Sequence, residues 1–226
     1  MVSATPERVT LAVHIAAGFL ALLAGAVALG SEKGGSRHVT AGKVYVWSMA
    51  VVVVTVVPLF LLEPGSFFRR FLLLVAVFSG YFVFSGYRVL DRKGATEDAD
   101  RIDVAAAVTV SLACLGLGAW GALTVVGGDT FGVVMAVFGA LGLSFGVADL
   151  RAFWSGTGGG SWISSHVARM IGGYIATVTA VSAVNLAGVA PAVLGWLWPT
   201  AVGVPLIWYF QAQYANEGPL VAYVSS

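Results

Sequence analysis

MIGGYIATVTAVSAVNLAGVAPAVLGWLWPTAVGVPLIWYFQAQYAN, residues 170 to 216, contains no Asp, Glu, Lys or Arg. One crossing of a bilayer takes about 20 mostly apolar residues. A run this long is therefore two membrane helices, parted at "GVAP", residues 188 to 191, where glycine and proline interrupt the helical pattern. The same ruler, carried outward over the 226 residues, divides the chain into seven spans near 9–30, 43–62, 71–90, 104–127, 130–150, 165–188 and 192–212. Between them lie turn and loop compositions: "GSEKGGSRH", "EPGSFFRR", "DRKGATEDADRID", "GGD" and "SGTGGGS".

Composition agrees. Hydrophobic residues make up 58% of the chain, charged residues 10%, and mean hydropathy is +0.90, too apolar to leave a wetted surface around one core. The predicted fold class is all-α: a polytopic membrane helical bundle with seven transmembrane helices, forming a single integral membrane domain over 1–226. Its first partner is the lipid bilayer. The first span follows Glu7 and Arg8 rather than a basic run and exceeds the ~7–15 residues of a signal-peptide core, so it is expected to stay as an anchor. The 29 glycines suit close helix contacts in lipid.

Counting cations by side gives an orientation. Arg8, Arg69 and Arg70 fall on one face, and Lys33, Arg37, Lys43, Arg88, Arg92, Lys93, Arg101, Arg151 and Arg169 on the other. The positive-inside rule then predicts the amino terminus outside and the carboxyl terminus cytoplasmic. Trp47, Trp154, Trp162 and Trp208 are expected in an inner aromatic belt, Trp196 and Trp198 in an outer one.

Ionisable groups in a bilayer are costly and mark function. His14 is expected about six residues, ~9 Å, inside the outer boundary, with Asn185 as its partner. His38 and His166 both fall at the inner face, each at the amino end of a helix, where Ser or a neighbour would cap the first turn and the dipole disfavours imidazolium. A neutral imidazole is what a metal or haem iron takes as a ligand. Gly42 follows His38 by one turn, and Gly172 and Gly173 follow His166, leaving room for a flat ring system. The alternative is that these histidines are interfacial hydrogen-bonded residues with no ligand. Asp149 and Met170 stand as candidate third ligands, and Asp149, Arg151 and Arg88 are expected to form a charge-paired inner cluster.

Other readings drop away. A net charge of +1 gives no electrostatic reason to bind nucleic acid. Cys114 is alone, so no internal disulfide forms. "SGTGGGS" lacks the G-K-[ST] of a phosphate loop, and no H-x-x-x-H, C-x-x-C or H-E-x-x-H is present. The three lysines lie in or beside loops, which excludes a retinal Schiff base in the seventh helix.

"KGGSRHVTAGKVYVWSM", "FSGYRVL", "HVARMIGGYIATVTA" and "PTAVGVPLIWY" resemble the signatures of a bacterial family of membrane proteins with no assigned function. The resemblance spans His14 to Tyr209 and places Lys33, His38, Gly42, Tyr45, Ser85, Gly86, Tyr87, Arg88, His166, Arg169, Met170, Tyr174, Thr179, Pro199 and Pro205 at motif positions. It implies a multi-pass protein of the bacterial inner membrane and no particular reaction. A fainter fold-level analogy links it to membrane cytochromes b, in which helices hold haem between histidines.

Three function classes follow. The first is a redox or cofactor-binding membrane protein: His38 and His166 ligate haem or a transition metal ion, Asp149 assists a metal, and Tyr45, Tyr87, Arg88 and Arg169 surround the cofactor, with an electron-transfer partner. The second is a transporter or channel for a small anionic solute, recruited by the basic cluster and two helix amino termini. The third is a ligand-free structural or signalling bundle; under any of the three, a homo-oligomer is a candidate assembly.

Overall fold

The computed structural model describes residues 4–91, 99–155 and 162–215. Arg92, Lys93, the "GTGGGS" part of the fifth connection and the tail after 215 lie outside the described residues. Within them the chain is helical: α1 (Ala4–Gly30), α2 (Ser36–Leu61), α3 (Phe67–Arg88) ending in a 3₁₀ turn (Val89–Asp91), α4 (Arg101–Val126), α5 (Phe131–Ser155), α6 (Trp162–Asn185) and α7 (Ala192–Ala215). All seven are long and apolar enough to cross a membrane.

The helices outrun the predicted spans, mostly at their amino ends, because hydropathy measures the apolar stretch while capping sets where a helix begins. The Ser66 hydroxyl accepts from the Arg69 amide at 3.4 Å to start α3. At α4 the Asp100 amide donates to Asp103 Oδ2 at 3.1 Å. α2 begins at Ser36, seven residues before the predicted 43, so His38 is its third residue. Its cap is Gly35, with no side-chain bond, where a cap from Ser or a neighbour was expected.

α1 with α2, α4 with α5 and α6 with α7 pair as antiparallel hairpins, and the centre is held by α3, which packs against α2, α4, α5 and α6. α6 in turn sits between α3, α1 and α7. The largest core cluster runs along α3, α4 and α5, with Phe71, Phe78, Phe82, Leu117, Met135 and Phe138. Trp196 belongs to it, 7% exposed and edge-on to Phe71 at 5.1 Å. The expected outer belt is thus corrected at Trp196, which turns inward to fill the core. The Trp198 indole instead donates to Ser182 Oγ at 2.5 Å. Trp47, Trp154 and Trp208 are exposed.

α4 and α5 meet backbone to backbone. A Cβ at Gly121 would lie 2.6 Å from the Ala136 amide nitrogen, and one at Gly139 would lie 2.6 Å from Gly118 Cα. Only glycine permits that approach, the small-residue packing that holds helices together where lipid removes any hydrophobic drive.

A histidine-lined cavity at the basic end of the bundle

His38 and His166 reach one cavity of about 420 Å³, walled by α1, α2, the end of α3, α6 and α7. α1 and the turn after it contribute Gly25, Ala28, Leu29, Lys33 and Gly34, and α2 adds Val39, Gly42, Lys43, Tyr45 and Val46. Tyr87, Leu90 and Asp91 close it from α3, and Trp162, Val167, Met170, Ile171 and Tyr174 from α6. Its volume falls in the ~300–1,000 Å³ range of small-molecule and cofactor sites.

Both imidazoles are fixed in the same way. His38 Nδ1–H donates to the Ala28 carbonyl at 2.9 Å, and His166 Nδ1–H donates to the Gly86 carbonyl at 2.8 Å. A carbonyl only accepts, so Nδ1 carries the proton, and in the neutral ring Nε2 keeps the lone pair. Each acceptor lies in the last turn of another helix, where carbonyls have no intrahelical partner. The two bonds therefore tie α2 to α1 and α6 to α3 while setting each ring's orientation.

Glycines shape the walls. A Cβ at Gly42 would meet nothing within 4 Å, so α2 leaves open space one turn beyond His38. At Gly25 the reverse holds: a Cβ would lie 2.5 Å from Tyr174 Cε2 and 3.3 Å from Tyr45 Cδ2, and its absence lets both rings press against α1. Tyr174 donates to the Leu22 carbonyl at 3.2 Å. The Tyr45 hydroxyl is buried with no hydrogen-bond partner in bonding geometry.

The cavity is cationic at its mouth. Lys33 Nζ donates to the Leu29 carbonyl at 2.5 Å and the Ser31 carbonyl at 3.1 Å, closing the carboxyl end of α1. Burial pushes this ammonium below the ordinary lysine range, against the pull of those carbonyls on its charged form. Lys43, one and a half turns past His38, makes no ion pair among the described residues.

Of the site residues singled out in the sequence, the cavity gathers His38, His166, Gly42, Tyr45, Tyr87 and Met170. Arg88, Arg169 and Asp149 are not on its wall. Arg88 is engaged by Asp103 at 3.1 Å, by Asp91 at 3.2 Å and by Asp100. Asp149 takes the Arg169 guanidinium on one oxygen and the Tyr81 hydroxyl on the other. The expected cluster of Asp149 with Arg151 and Arg88 is therefore corrected: Asp149 on α5 pairs with Arg169 on α6, and Arg88 at the end of α3 pairs with Asp91, Asp100 and Asp103. Among the described residues, no three of His, Cys, Asp and Glu gather as they would to hold a metal ion.

His14 stands apart on α1, with its Nδ1 2.8 Å from Thr55 Oγ1 on α2. Asn185, its expected partner, donates to the Val181 carbonyl of its own helix. Sequence reasoning missed Lys33, Lys43 and Tyr174 as wall residues. The signal lay in "KGGSRHVTAGK", where both lysines lie five residues from His38, within two turns of its helix end. Neither a family model, a curated protein nor a solved structure matches the chain.

Proposed function

We propose that the chain is a cofactor-binding membrane protein that would hold haem in the cavity at its basic end through His38 and His166. The observation that carries this reading is that His38 and His166, each tied through Nδ1–H to a backbone carbonyl of another helix, line one cavity. Such a bond from the far nitrogen is the usual support of a ligating histidine. The open wall at Gly42 accommodates the face of a macrocycle, and Lys43 and Tyr87 at the rim suit its carboxylates. A haem so held supplies one-electron chemistry. The chain's own residues exclude water, fix the two rings and balance negative charge at the mouth. Of the candidate third ligands, Met170 is on the wall and Asp149 is not, and no three of His, Cys, Asp and Glu gather among the described residues, so haem is preferred to a small metal ion.

The orientation that goes with this reading puts the basic end in the cytoplasm. Passage of a small anionic solute is a second reading, supported by Lys33 and Lys43 on the same wall.

The test is an absorption spectrum of the protein purified in mild detergent after titration with hemin. A Soret band saturating at one haem per chain is expected. His38→Gln and His166→Gln, which keep a donor near the capped carbonyls, should each abolish it, and His14→Ala should retain it. No Soret shift in the folded wild-type chain would refute the haem reading. Saturable binding of an anion that Lys43→Gln abolishes would then favour the second.

A further inference from the structure

The histidine-lined cavity also reaches the lipid-facing side of the bundle. Its wall on α2 sweeps from His38 to Lys43, about 140° round the helix at 3.6 residues per turn. Trp47, one turn past Lys43, is 72% exposed on the face toward the bilayer. α2 and α3 meet about midway along their lengths, where a Cβ at Gly80 would lie 3.1 Å from Val53 Cγ2. Nearer the basic end the cavity takes the place of that contact, walled by Val39, Lys43 and Val46 of α2 and by Tyr87, Leu90 and Asp91 at the end of α3. Val39 is 44% exposed and Tyr87 40%, so this side opens outward between the two helices.

The opening is polar and the depth is apolar. Lys43 is exposed at the rim and makes no ion pair among the described residues, whereas Asp91, the carboxylate there, is taken by Arg88 at 3.2 Å. Lys33 adds a second cation from the turn after α1. Further in, the wall is Ala28, Leu29, Val46, Val167 and Ile171. On α6 the lining residues run from Trp162 to Tyr174, a rise of ~18 Å along the helix axis. A cationic rim above a long apolar slot complements an amphiphile with a negative head. A small hydrophilic anion gains nothing from the apolar depth, and a neutral lipid gains nothing from Lys43.

We propose that this opening admits an acidic single-chain lipid from the bilayer, a long-chain carboxylate, with its head at Lys43 and its chain along the apolar wall of α6. The carboxylate exchanges the membrane surface for a fixed ammonium, and Tyr87 on the same rim offers a hydroxyl donor. The chain stays out of water throughout, so its transfer from lipid carries no hydrophobic penalty. The acid uses the same cavity as the proposed haem but rests on shape and charge alone, and the two ligands should compete.

The test is photolabelling of haem-free protein in nanodiscs of neutral lipid, with a long-chain carboxylate that carries a diazirine in mid-chain. Peptide mapping should place the label on Val46, Val167 or Ile171. The methyl ester at the same membrane concentration should label them about five-fold less, the worth of one lysine against an anionic head group. Lys43→Gln should lose the preference for the acid, and Lys43→Arg should keep it. Val46→Trp, or Gly42→Leu if the first variant does not fold, fills the slot and should abolish the inner label, while Val54, 67% exposed on the outward face of α2, stays labelled. Equal labelling by acid and ester, or label confined to outward residues such as Val54, would overturn the proposal. A chain that carries the inner label yet gives no Soret shift with hemin would lose the haem reading and keep this one.

Discussion

Asp149→Asn is the sharpest test of how charge is carried inside this bundle. The carboxylate and the Arg169 guanidinium are 10% and 13% exposed, and the Tyr81 hydroxyl completes the carboxylate's shell. Arg169 Nε is already buried without a partner, so the cation depends on this one pair. Neutralising the carboxylate while keeping its shape strands that charge, at a cost of about 3–5 kcal/mol. For a chain of this length each kcal/mol moves the unfolding midpoint by roughly 2–4 °C, so the melting temperature in mild detergent should fall on the order of 10 °C. The double variant Asp149→Asn, Arg169→Met removes both charges and should recover most of the loss, because the two residues act as a unit. The control is Asp91→Asn: that carboxylate is 59% exposed beside Arg88, and its loss should cost no more than about 1 kcal/mol. A midpoint for Asp149→Asn within about 2 °C of the wild type would refute the claim that the pair is desolvated, and a double variant as unstable as the single would refute the coupling.

Gly139→Val should prevent α4 and α5 from closing, since its side chain meets the Gly118 backbone, and the yield of folded protein should collapse while Gly116→Val, where a Cβ meets nothing within 4 Å, leaves it unchanged. His14→Ala should lower the melting temperature by a few degrees through loss of the Thr55 contact, equivalent to about 1 kcal/mol. Cysteines at Glu32 and Asp129, at opposite ends of the bundle, should respond oppositely to an impermeant thiol reagent on intact cells. With Cys114 buried and silent, labelling at Asp129 alone supports the proposed orientation and labelling at Glu32 alone reverses it.

The span count was legible because every crossing is an unbroken apolar stretch punctuated by glycine, proline or charge. Boundaries were less so: nothing in hydropathy separates Ser36 to Gly42 from the preceding loop, yet the helix takes them in and with them His38. That His38 and His166 line one cavity rests on α6 packing against α1 and α3, a helix order that no local pattern encodes. The partners of Asp149 and Arg88 were missed for the same reason, since both choices depend on which helices face each other. Trp196 shows the limit of belt reasoning, because its depth along α7 says nothing of whether it faces lipid or the core.

The glycine contact between α4 and α5 has a mechanical consequence. Two helices touching main chain to main chain have no side chains between them to change rotamer, so they cannot slide or tilt by the small steps that ordinary packing absorbs. They behave as a stator. α7 carries Pro199 and Pro205 within its length and leans on α6. Any displacement between helices is therefore expected where side chains intervene, at α6 and α7, rather than across the α4–α5 seam.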